Sequence, residues 1–333
     1  MFSTRLPAAL GSNRIAAAVS ARRAARRPFI DLTVSNPTTS GFAYEPSLLA
    51  AMASPEALVY APDPRGLRSA REAVASDYGR RGDRVDPDRI VVTSSTSEAY
   101  SALLKVLCNP GDDVLVPQPS YPLFEHLLAL DAVRGVPYAL DEHGAWALDI
   151  EAIERALTPR SRALLLVSPN NPTGSYVSAG EFDQLLMLAE RRDLAIIADE
   201  VFVDYALDSD VAQRRARFVG AERALVCSLG GLSKSVGLPQ VKLAWAALAG
   251  APASVEAALD RLEHVCDTYL SVSTPVQQAL PDLLRRGASV REQIHARVWA
   301  NRNCAQELVA AVPSCRLLPV SGGWYGEIGR AHV

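Results

Sequence analysis

The chain is poor in the residues that would tie it to a disulfide scaffold, a metal or a polyanion. Its five cysteines show no CxxC pair and no regular spacing, which argues against a disulfide framework or a zinc site and suits a reducing compartment such as the cytoplasm. The five histidines are equally scattered, so no metal centre is expected. A net charge of −3 provides no basic surface for nucleic acid or an anionic membrane. No apolar run reaches the length of a membrane span. Lysine is scarce: only three occur, at 105, 234 and 242, among 34 basic residues, and two of them lie within nine residues of one another.

What is present is ordinary for a globular protein, with 49% hydrophobic and 21% charged residues. The 333 residues suffice for one large or two moderate domains. Six arginines precede the first acid, Asp31. That pattern suits an organellar transit peptide or a surface arm with solvated basic side chains, and the arm is the expectation here. The last seven residues, EIGRAHV (327–333), match in frame the translation of a common sequencing adapter whose next codon is a stop. They are expected to be extraneous, with the natural sequence running to about Gly326.

Short β-branched runs alternate with helical patterns through the middle of the chain. Segments 89–93 (RIVVT), 113–116 (DVLV), 163–168 (ALLLVS), 194–198 (LAIIA) and 224–228 (ALVCS) each fit a buried strand. Helix-length stretches such as 97–107 and 178–192 lie between them. This alternation predicts an α/β fold with a mostly parallel sheet. Segment 245–248 fits one added antiparallel strand. Helix-favouring sequence resumes near 254 and continues past 309, with breaks expected at Thr274-Pro275 and Pro281.

Four predicted strand ends carry polar clusters, where open α/β sheets place their ligands. Thr93-Ser94-Ser95-Thr96-Ser97-Glu98 puts hydroxyls and free N–H groups at a helix start; this is an anion site or, more simply, a cap. Ser168-Pro169-Asn170-Asn171-Pro172-Thr173-Gly174 is a turn, in which Asn171 is placed to donate to a ligand oxygen. Asp199, in ADEVF, either pairs with a buried cation or caps a helix. Lys234, flanked by serines in LSKSVGLP, is a solvated charge or a desolvated nucleophile with a lowered pKa.

NNPTG, DEVF and GLSKSVGLP, in this order and spacing, resemble the signature series of the class I/II aminotransferases, which are fold-type I enzymes using pyridoxal 5'-phosphate (PLP). YAPDPRGLRSAR (60–71), the serine cluster and PSYP (119–122) extend the likeness, which runs from about Phe2 to Tyr325. The resemblance implies an α/β fold: a large domain with a mostly parallel seven-stranded sheet, and a smaller α/β domain. Residues 1–45 would form an N-terminal arm and part of the small domain, 46–275 the large cofactor domain, and 276–326 a connecting helix and the start of the small C-terminal domain. Trp324-Tyr325 would open that small domain's sheet, and the arginine that clamps a substrate carboxylate would lie beyond it.

Carried over by residue, the resemblance implies that Lys234 forms the internal aldimine and then moves a proton between Cα and C4′. Asp199 would pair with the pyridine N–H, Asn171 would bond the phenolic oxygen, and Tyr121 would stack on the ring. Ser95, Thr96, Ser233 and Lys242 would hold the phosphate, joined by Tyr60 from the neighbouring subunit of a homodimer. Three positions depart from the family pattern: Lys242 stands where an arginine is usual, Phe202 where a tyrosine often follows the aspartate, and Ser95 where glycine is common. The implied reaction is amino-group transfer from an amino acid to a 2-oxo acid. A PLP lyase of the C–S β-lyase type is the alternative, and a non-catalytic PLP-binding regulator module a more remote one.

Overall fold

Apolar residues in the central runs alternate between two faces, and both faces are covered. In the computed structural model, which describes residues 2–7, 13–142, 146–270 and 272–330, eight strands form one sheet. They are β1 (Ile90–Thr93), β2 (Asp113–Gln118), β3 (Arg134–Asp141), β4 (Ala147–Leu148), β5 (Ser161–Val167), β6 (Ala195–Asp199), β7 (Val226–Gly231) and β8 (Ala244–Ala249), in the order β1-β8-β7-β6-β5-β2-β3-β4. Ala163, Leu165, Val167 and Ile197 enter one buried cluster with the helices Thr96–Leu107 and Pro252–Tyr269, while Leu164, Leu166, Ile196 and Ala198 enter another with the helix Ala179–Arg192. A period of two with both faces buried is what a helix-covered parallel sheet requires.

The pairs β3·β2, β2·β5, β5·β6 and β6·β7 are parallel. Strand β8 runs antiparallel to both β7 and β1, as expected for the strand after Lys234. The carboxyl ends of β1, β2, β5, β6 and β7 therefore share one edge. The sheet has eight strands rather than seven, because the two-residue β4 adds an antiparallel border to β3. Strand β3 escapes a sequence reading: it contains Pro137 and is largely exposed, a composition that fits only near a sheet edge.

The last third is helical, over Pro252–Tyr269, Thr274–Arg286 and Ala288–Ala310. The break before Thr274 agrees with expectation, but the expected break at Pro281 does not occur. Buried Val276, Ala279, Leu280, Leu283 and Leu284 hold that helix against the sheet domain through the proline, and the chain breaks at Gly287 instead. A small sheet follows, in which β9 (Cys315–Leu317) pairs antiparallel with β10 (Ile328–Arg330). Trp324-Tyr325 lies between these strands, not on one. Of the segment 327–333, residues 331–333 lie outside the described residues.

The arginine-rich arm forms the helix Arg14–Ala24, which buries no residue, so its basic side chains are solvated. Among the described residues no helix is long and apolar enough to cross a membrane.

Candidate active site

Sheet register brings the polar strand ends together. Thr93 pairs with Ala244, which pairs with Gly231; two residues back along β7, Leu229 pairs with Asp199 and Asp199 with Val167. At about 4.8 Å per strand, the turns after β5, β6 and β7 lie side by side on one edge, with the turn after β1 on the same edge two strands beyond β7; together they frame a crevice.

Lys234 sits in the short helix Leu232–Ser235 directly after β7. Two glycines make that turn possible. A Cβ at Gly230 would lie 2.6 Å from Trp245 Nε1, and one at Gly231 3.0 Å from Ala244 Cβ, so β7 and β8 approach too closely there for a larger residue. The hydroxyl of Tyr205 donates to the Lys234 carbonyl. The amine lies over two rings, 5.0 Å from the centroid of Trp324 and 5.7 Å from that of Phe202. Burial is the main reason its pKa falls below the ordinary lysine value; Asp199 opposes the shift and Lys242 adds to it.

Asp199 ends β6 and is 7% exposed. Burial raises its pKa to about 6, against the pull of two donors: Val201 N–H to Oδ1 at 3.0 Å and the Tyr100 hydroxyl to Oδ2 at 3.1 Å. The next residue, Glu200, faces the other way into a buried network. It accepts from Ser228 Oγ at 2.5 Å and pairs with Arg215 at 3.4 Å, while Arg215 also reaches Asp83 at 3.3 Å. This network ties the end of β6, which carries Asp199, to the middle of β7, the strand that leads into Lys234.

The loop after β5 divides its two asparagines. Asn170 is buried and its amide bridges Pro119 O at 3.2 Å and Thr173 Oγ1 at 3.0 Å, joining this loop to the PSYP turn. Asn171 is half-buried and its side chain has no hydrogen-bond partner among the described residues. Tyr121, in the PSYP turn, packs edge-on against Phe124 at 5.9 Å. Its pKa is raised by burial and then by its electrostatic interaction with Asp199 and Tyr325.

Ser95 caps the helix Thr96–Leu107, its hydroxyl accepting from Glu98 N–H at 3.1 Å, while Glu98 accepts in turn from Ser94 N–H. That exchange leaves the first helical N–H groups, at Thr96 and Ser97, without intrahelical acceptors and available to an anion. Ser233 is half-buried beside Lys234, and Lys242 is exposed with a left-handed backbone, φ 60°. Tyr60 is 75% exposed, and among the described residues no hydrogen bond or ring contact joins it to the crevice of its own chain.

Two contributors went unread in the sequence. Tyr100 lies on the buried face of the helix after β1, where its hydroxyl role is indistinguishable from core packing. Trp324 belongs to the segment 320–325, which is strapped across the crevice. Ser321 N–H donates to Gly174 O at 3.2 Å, Leu207 N–H to Ser321 O at 2.7 Å and Gly323 N–H to Tyr205 O at 2.9 Å. Trp324 then packs edge-on against Phe202 at 5.3 Å and Tyr205 at 5.2 Å. The one available signal was the glycine pair in SGGWY.

A desolvated amine, a buried carboxylate, an aromatic face and a helix N-terminus together suit a planar heteroaromatic ligand bearing a carbonyl, a basic ring nitrogen and a phosphate. Comparison with known proteins agrees. The family profile described as aminotransferase class I and II matches residues 27–323. The glutamate-pyruvate aminotransferase AlaA of Escherichia coli K12 is 31% identical over 301 residues, spanning 89% of this chain and 74% of that protein. An alanine aminotransferase of Mycobacterium tuberculosis is 27% identical over 303 residues, spanning 89% and 70%. Among solved structures, an Escherichia coli aminotransferase superposes with a TM-score of 0.82 at 27% identity, covering 97% of this chain and 81% of that one. An aspartate aminotransferase of Thermus thermophilus shares the fold, with a TM-score of 0.80 at 24% identity over 98% and 84% of the two chains.

Proposed function

The chain belongs to the aminotransferase class I and II family, and from that premise we propose that Lys234 holds pyridoxal 5'-phosphate and relays the proton in amino-group transfer. Family membership makes it a PLP-dependent transferase whose substrates are an amino acid and a 2-oxo acid. The observation that carries the assignment of residues is a buried carboxylate at the end of β6 with, just after the neighbouring strand β7, a lysine whose amine is withdrawn from water over the Trp324 and Phe202 rings.

When bound, the cofactor supplies an electron sink conjugated to the substrate amine. Each residue's part follows from its surroundings. Lys234, with its lowered pKa, is biased toward the neutral amine, so it would hold the cofactor at its carbonyl carbon and, once freed by the substrate, would take the proton from the substrate Cα. Asp199, withdrawn from water, gains most by facing a cation, so it favours the protonated form of the ring nitrogen. Asn171, with no partner in the protein, donates to the phenolic oxygen, and Tyr121 covers one ring face. The N–H groups and hydroxyls at Ser95 and Thr96, with Ser233 and Lys242, hold the phosphate. Exposed Tyr60 serves the equivalent site of a second copy in a homodimer.

Alanine with a 2-oxo acid acceptor is the first pair to test, since relatives are named for alanine and for glutamate and pyruvate. Purified holoenzyme given an amino acid alone should release the matching oxo acid in an amount equal to the enzyme sites, and continue only when a 2-oxo acid acceptor is added. Continuous release of pyruvate and ammonia without acceptor, from an amino acid such as cysteine that carries a leaving group on Cβ, would assign elimination instead.

A further inference from the structure

Trp324 carries an indole N–H that the protein itself does not use. Its Nε1 is buried without a hydrogen-bond partner, an unfavourable state for a donor withdrawn from water. Among the buried partnerless side-chain donors of the described residues, it is the one whose ring packs against the Lys234 amine.

The indole is held there by construction. Gly323 turns the chain with φ 83°, and Gly322 has no room for a side chain, since a Cβ would sit 2.6 Å from the Tyr176 ring. The strap hydrogen-bonds to Gly174 of the NNPTG loop and to Tyr205 beyond DEVF. The NNPTG loop and the segment from Phe202 to Tyr205 thus fix the position of Trp324. The ring it packs against, Phe202, stands three residues after Asp199 and has no hydroxyl to offer.

We infer that Trp324 Nε1–H donates to the phenolic oxygen of the cofactor held by Lys234, the hydrogen bond that Phe202 cannot make. The inference rests on the reading of Lys234 as the cofactor's attachment point. A donor at that oxygen stabilises its anionic form, so it lowers the pH at which the visible band of the lysine-bound cofactor titrates.

The test is a spectrophotometric pH titration of purified holoenzyme for the parent, Trp324→Phe, Phe202→Tyr and the double variant. Trp324→Phe should raise the band's midpoint by about 1 unit, the scale of one hydrogen bond to a charged oxygen. Phe202→Tyr should restore it in the Trp324→Phe background while moving the parent by less than about half as much. An unmoved midpoint in Trp324→Phe overturns the inference, including the case where affinity for a carboxylate inhibitor falls instead and the donor serves the substrate. If Trp324→Phe does not retain cofactor, Phe202→Tyr alone decides: a small fall supports the inference, and a fall of about 1 unit overturns it by showing that no second donor beside Asn171 had been in place. A parent with no visible band at all would remove the Lys234 reading itself, an outcome distinct from a band that is present and unmoved.

Discussion

Asp199→Asn separates what the buried carboxylate does for function from what it does to stability. Burial raises the carboxyl pKa from the ordinary 3.8 to about 6. Because the folded value is the higher one, its contribution to stability is fully present below 3.8 and is lost as the pH rises through about 6. The total loss is about 3 kcal/mol at pH 8, with roughly half of it already incurred at pH 5. Asparagine removes the charge and can keep both hydrogen bonds. Its Oδ1 accepts from Val201 N–H and its Nδ2 donates to the Tyr100 oxygen, because a hydroxyl accepts as well as donates. Urea unfolding of cofactor-free protein, with parent and variant side by side from pH 5 to pH 8, isolates this one group as a difference of differences. The variant should gain about 1.5 kcal/mol over the parent between pH 5 and pH 8, while binding PLP more weakly. A stability difference that stays constant across this range would refute the reasoning.

Gly174→Ala places a Cβ 2.4 Å from Val320 Cγ2 and 2.6 Å from Gly322 O at a backbone with φ 70°. It should cost about 2–4 kcal/mol in urea unfolding and loosen the strap that carries Trp324; a loss under about 1 kcal/mol would contradict the packing described. Lys242→Ala should weaken PLP binding by roughly tenfold in equilibrium dialysis at low salt, with the deficit shrinking as salt screens the parent's charge. Equal affinities at low salt would mark Lys242 as a solvated surface charge.

The buried strands were readable because each is an apolar run closed by a polar turn, and β1, β5, β6, β7 and β8 all lie where such runs occur. Strand β3 was not, since its exposed, proline-containing sequence carries no such contrast, and β4 is too short to leave a pattern. The four polar clusters were legible for a topological reason: a parallel sheet brings every strand-end turn to one edge, so their meeting follows from the strand order. Trp324 was not legible, because its place depends on backbone hydrogen bonds from 321 and 323 to residues 174, 205 and 207, and nothing local encodes those partners. Pro281 misled for a similar reason. A proline is expected to end a helix, but the buried face of Thr274–Arg286 holds it through the missing bond.

The most direct test of the account is covalent trapping at Lys234. Purified protein with PLP should show a visible band that borohydride fixes irreversibly, and peptide mapping should find the reduced cofactor on Lys234 and not on Lys105 or Lys242. Lys234→Ala should show neither the fixed band nor the labelled peptide. Label on another lysine, or a band in Lys234→Ala that borohydride still fixes, would contradict the assignment.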